Sequence, residues 1–151
     1  MASPPPPPCS AGKGETPTPA IGATLTAPRR AGDPRSLLPA DEFMIVTATL
    51  ARQHPELGWV AAEQRVVEAL KFVATVAHSA STDLAPSGPV DAGWHALISC
   101  TVIYAELCAR LGTVVHHHPE VTGAATPAPG RLDRTTAAIE AAGYDIATDL
   151  W

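Results

Sequence analysis

Four histidines carry what this 151-residue chain offers by way of chemistry: His95, beside Trp94, and the run His116, His117 and His118 that ends at Pro119. Imidazole is the commonest nitrogen ligand of zinc, iron, nickel and copper. Asp91 stands four residues before His95, a spacing that on a helix stacks the two side chains, so that the carboxylate can orient the imidazole or share an ion with it. The candidate metal ligands are therefore His95 and His117, with His116 next and Asp91 as ligand or orienting group. The cofactor expected is a divalent transition ion, zinc or iron. Three or fewer firm protein ligands would leave a coordination position open, and the sharper form of this reading is a metalloenzyme. The plainer alternative makes Asp91 a helix N-cap, His95 a half-buried helix residue and the histidine run an exposed loop. The chain is then a nonenzymatic protein–protein interaction module.

Distance restricts the shared site. His95 to Leu111 is sixteen residues, or ~24 Å of straight helix. The six steps from Leu111 to His117 return at most ~20 Å when fully extended. Alpha carbons of two histidines on one ion lie ~8 Å apart, so the site requires Val114 to His118 to run back antiparallel along the helix. The β-branched pair Val114-Val115 favours such an extended path. Cys100 falls roughly 140° from His95 on a helical wheel, which disfavours a mixed Cys/His site, and Cys100 and Cys108 read as small buried hydrophobes.

The elements that must hold these residues are helical. Apolar residues make up 46% of the chain and aromatics 5%; an excess of alanine and valine suits thin helical layers. A first helix is expected from Asp41 to about Gln53, stopped by Pro55, and a second, central one from about Trp59 to His78, with Glu63, Gln64, Glu68 and Lys71 mostly on its wet face. After the turn residues of 79–90, a third is expected from about Asp91 to Leu111, ended by Gly112. Residues 121–130 read as a loop, and Asp133 caps a last helix that stops at Gly143. The tail from Tyr144 to Trp151 is expected to pack its two rings on the bundle. The fold class is mainly α: a small irregular bundle of about four helices, forming a single domain over residues 39–151. Residues 1–38 hold nine prolines and no hydrophobic periodicity, and are expected to be a disordered proline-rich leader whose five-proline run favours polyproline II.

Several function classes are disfavoured. Residues 1–35 carry a net charge of +2, leaving −7 for the rest; an acidic domain without a Lys/Arg stripe lacks the counterion-release contribution to nucleic-acid binding. No basic-then-apolar leader and no run of ~18 apolar residues point to secretion or a membrane, and three cysteines do not make a disulfide framework. A cytoplasmic protein is expected, with a protein or small molecule as its unidentified partner. No phosphate-cradling glycine loop, G-x-S-x-G elbow, H-E-x-x-H pair or zinc-type CxxC pair occurs. His54 and His78 read as helix C-terminal histidines favoured by the dipole.

Val90-Asp91-x-x-Trp94-His95-x-x-Ile98, Tyr104, Cys108, Gly112 and His116-His117-x-Pro119 resemble the motif of the glycine-rich domain-containing protein-like family, above all its short actinobacterial members. The resemblance covers about residues 59–120. It extends to Val67 through Phe72, Gly143-Tyr144 and the terminal Leu150-Trp151. It invites a metal-site reading of the Trp-His and His-His elements and brings no assigned activity with it. The chain departs from the pattern at Cys100, where the short members often have histidine, at His118, and in lacking the glycine-rich tail of the plant proteins.

Overall fold

A computed structural model describes residues 32–81, 83–118 and 129–151. Among the described residues five helices form the fold: α1 (Ala40–Gln53), α2 (Trp59–His78), α3 (Gly88–Ser99), α4 (Thr101–Leu111) and α5 (Arg131–Ala141), with short 3-10 turns at Pro34–Leu37 and Thr148–Leu150. Among the described residues there is no strand. The mainly helical fold expected from composition and periodicity is the one found.

Helix α2 is central, and its bounds are those its apolar stripe predicts. Ala62, Val66, Ala69, Leu70, Phe72 and Val73 are buried along it, and α1 covers them through Phe43, Val46 and Leu50. Helix α3 approaches α2 closely because Gly93 has no side chain. A Cβ placed there would lie 2.5 Å from the Arg65 carbonyl oxygen, 2.9 Å from its carbon and 3.1 Å from the Ala69 Cβ. Gly93 thus seats the helix bearing Asp91, Trp94 and His95 directly on the α2 backbone.

The expected third helix is two. It breaks at Cys100 (φ −87°, ψ 66°), and α3 and α4 meet at a bend of 103°. Ser99, Thr101, Val102 and Ile103 flank the break with residues of modest helix propensity. The Ser99 hydroxyl donates to the His95 carbonyl (2.8 Å), and the Cys100 amide is shared between the carbonyls of Ala96 and Leu97, the tightened end of a terminating helix. The bend lets Leu107 and Cys108 reach the core; Cys100 is half-buried, its thiol 3.6 Å from the Thr49 hydroxyl. Among the described residues no single helix is long and apolar enough to cross a membrane.

Other details also differ from expectation. Ser87, not Asp91, caps α3: its hydroxyl oxygen accepts from the Val90 amide (3.4 Å) and its hydroxyl donates to the Leu150 carbonyl. Gly130 (φ 72°), not Asp133, stands at the N-cap of α5. The end of the expected leader is folded instead, since Asp33 caps the Pro34–Leu37 turn and Leu38 is buried in the core; residues 1–31 and most of the loop expected at 121–130 lie outside the described residues.

Glu68, assigned by the wheel to the wet face, is buried. Its carboxylate pairs with Lys71 at 2.5 Å and accepts the Trp151 indole N–H at 2.8 Å, while Lys71 also donates to the Asp145 carbonyl (2.6 Å). The tail packs back as expected, with the Trp151 ring 6.3 Å from that of Phe72 and Tyr144 against the core. Buried carboxylates persist where every lone pair finds a partner, and here the tail supplies one.

Candidate metal centre

Asp91 lies within the first turns of α3, and His95 one turn later. His95 Nε2 is 3.8 Å from Asp91 Oδ2, the stacking that their spacing predicts. Trp94, between them in sequence, turns inward: its ring meets Phe72 edge-on at 5.1 Å.

The third partner arrives from beyond α4. Gly112 (φ 79°) ends that helix in the left-handed region, where glycine carries no steric penalty. Over the next residues burial alternates: Val115 is buried and His117 half-buried, whereas Val114, His116 and His118 are exposed. Such a period of two is the mark of extended chain. The segment is held by Tyr104, whose hydroxyl donates to the Val115 carbonyl and accepts the Trp94 indole N–H at 3.1 Å. Burial, reinforced by the neighbouring Cys108 thiol and opposed by the Trp94 hydrogen bond, pushes the Tyr104 hydroxyl up to about 12, so it stays a donor at neutral pH.

His117 therefore returns to α3. Its Nε2 is 2.9 Å from Asp91 Oδ1, its ring lies 4.5 Å from that of His95, and it meets Trp94 edge-on at 4.6 Å. One ligand atom each from Asp91, His95 and His117 falls within 4.8 Å of the others. Bonds of ~2.1 Å to a common ion require neighbouring donor atoms about 3.0–3.4 Å apart; His117 and His95 approach different oxygens of the Asp91 carboxylate, at 2.9 Å to Oδ1 and 3.8 Å to Oδ2, so an ion would replace the His117–Asp91 hydrogen bond and draw His95 slightly inward. Two imidazoles and a carboxylate are a donor set that zinc and non-haem iron both take.

Of the four ligands expected, the structure brings three together. His116 is the exception: it is exposed and lines the same cleft outside the three-residue cluster, its ring 6.4 Å from that of His118. The return path was expected as an antiparallel run along one straight helix; the bend at Cys100 instead folds α4 aside and shortens the distance to be covered. Sequence reasoning did not anticipate the roles of Tyr104 and Gly93. A glycine in the middle of an apolar helix, at a cost of about 1 kcal/mol relative to alanine, was the available signal for the latter.

The three residues line a cleft of about 820 Å³, within the size range of small-molecule sites. Compared with family models, curated proteins and solved structures, the chain has no match.

Proposed function

We propose that this chain is a small metalloprotein, with a divalent transition ion, zinc or iron, held by Asp91, His95 and His117. The observation that carries the reading is the convergence of one donor atom from each of these residues within 4.8 Å, although 26 residues separate Asp91 from His117. Three protein ligands leave room for a further ligand, and the site opens onto a cleft; both features support a metalloenzyme rather than a closed structural site. An ion bound there would supply Lewis acidity or, if iron, redox chemistry. The chain's own part is to present the donors: the indole of Trp94 fixes the plane of His117, and Gly93 and Ser87 fix the register of α3. The same proposal places the chain in the cytoplasm, with a small-molecule partner, and in the glycine-rich domain-containing protein-like family.

The test is metal content by plasma mass spectrometry on untagged protein, before and after reconstitution with zinc or ferrous iron. One equivalent is expected in the wild type, retained in the His116→Ala/His118→Ala double variant and lost in His95→Ala, His117→Ala and Asp91→Asn at unchanged helicity. Absence of metal in every reconstituted sample overturns the reading. A second reading has its own observation: the Asp91–His117 hydrogen bond and the Trp94–His117 contact already tie the 113–118 segment to α3, as they would in a nonenzymatic interaction module. In that case the His117→Ala variant loses stability and there is no metal to lose.

A further inference from the structure

The cleft carries information about what the centre accepts, an inference that rests on the metal-site reading above. Away from the Asp91, His95 and His117 cluster, its larger apolar wall residues are Phe72, Val76, Leu84, Trp94, Val115 and Leu132. These come from α2, from the segment before α3, from α3 itself, from the return segment and from α5. The enclosure is thus a feature of the whole fold rather than of one flexible loop. A volume of about 820 Å³ accommodates a molecule of drug or metabolite size but not a folded partner.

The charged and titratable side chains of the lining are the Asp91, His95 and His117 cluster with His116 and His118 beside it, and Arg131 on α5, which is paired with Asp83 at 3.1 Å. With neutral imidazoles, a divalent ion and one carboxylate sum to a single positive charge, which favours an anionic oxygen donor in the open position. The apolar walls favour a hydrocarbon body behind it. We infer that the ligand of this centre is an amphipathic small molecule, with an anionic oxygen head of carboxylate type that meets the metal and an apolar chain or ring that fills the cleft.

Titration calorimetry on the zinc-loaded full chain tests this with three probes: acetohydroxamate, hexanohydroxamate and hexylamine. The two hydroxamates share a chelating oxygen head and differ by four methylenes. Each fully buried methylene tightens binding roughly fourfold, so in a partly open cleft hexanohydroxamate should bind at least ~20-fold tighter than acetohydroxamate. Hexylamine, with the same kind of body and a cationic head, should bind far more weakly than hexanohydroxamate. Leu132→Asp places a charge on the cleft wall at an exposed position; it should cut the chain-length advantage several-fold and leave zinc affinity as it is.

The failures separate. Equal affinities for the two hydroxamates, with zinc bound stoichiometrically, overturn the apolar-ligand inference and spare the metal centre. Hexylamine binding as tightly as hexanohydroxamate overturns the anionic head. Failure of zinc itself to bind overturns the metal centre and this inference with it.

Discussion

Replacing Gly93 with alanine tests whether α3 lies on α2 as closely as the site requires. The added methyl would sit 2.5 Å from the Arg65 carbonyl oxygen and 2.9 Å from its carbon, roughly 1 Å short of ordinary van der Waals separation. Both atoms are backbone in the middle of a helix, so relief requires α3 to move as a body. Overpacking of this kind costs about 1–3 kcal/mol, and glycine to alanine in a helix returns about 1 kcal/mol through backbone entropy. The difference is a loss of about 0–2 kcal/mol, and because the contact is with backbone rather than a flexible side chain the expectation lies at the upper end, ~2 kcal/mol, or a Tm lower by roughly 10 °C in a domain of this size. Gly88→Ala is the control: it makes the same exchange at the start of the same helix, where an added Cβ meets nothing within 4 Å. Thermal and urea unfolding followed by circular dichroism will read both variants. Because Asp91 and His95 ride on α3, Gly93→Ala should also weaken zinc binding, whereas Gly88→Ala should not. A Gly93→Ala protein as stable as the wild type, or more so, would mean that the propensity gain wins and the two helices do not touch there.

The buried carboxylate gives the next prediction: Glu68→Ala leaves Lys71 and the Trp151 indole without their shared acceptor, and unfolding by urea should show a loss of about 3–5 kcal/mol, the scale for breaking a buried pair. Tyr104 has a raised pKa in the fold, about 12 against an ordinary value of 10, so its contribution to stability is fully present below pH 10 and disappears as the pH rises through 12. Burial also pushes the Tyr144 hydroxyl up, so ultraviolet titration should show two late-ionising tyrosines, Tyr104→Phe should remove the later of them, and a wild-type titration with no tyrosine ionising near 12 would contradict the buried hydrogen bond to Val115. Chelation should leave the helical content unchanged, since the 113–118 segment is held without an ion, and added zinc should raise the Tm in proportion to the logarithm of its excess over the dissociation constant. Unfolding of the chelated protein would show instead that the ion builds the fold.

Helix α2 was legible because its signals agree: a 3.6-residue apolar stripe, Pro55 and Gly58 before it and a serine-rich stretch after it. The division between α3 and α4 was not, since neither proline nor glycine marks it; Ser99 and Thr101 weaken a helix by tenths of a kcal/mol, and it is the burial of Leu107 and Cys108 that decides the bend. Glu68 was misplaced for a related reason. Its pattern position reads as solvent-facing, and the Trp151 indole that helps satisfy it stands 83 residues away. Asp91 and His95 could be paired from their spacing alone, and His117 could be preferred over His116 only by supposing an extended segment, which alternates sides. What no local rule supplies is the long-range step that closes the site.

That step consists of two hydrogen bonds on one hydroxyl. Tyr104 stands on α4, beyond the bend, yet it accepts from Trp94 on α3 and donates to Val115 in the return segment. It therefore ties together the three pieces of chain that carry or support the donor atoms. Were α3 and α4 one straight helix, residues 94 and 104 would be ~15 Å apart along its axis, too far for side chains to share a proton, and the return segment would lack this anchor. The bend and the site are thus the same structural fact: the chain turns through 103° at Cys100, Tyr104 comes back to Trp94, and His117 is delivered to Asp91 and His95. An arrangement assembled by packing and by hydrogen bonds within the chain does not depend on an ion for its geometry. Binding then draws little on the free energy of ordering the chain, which is the condition under which three ligands can suffice.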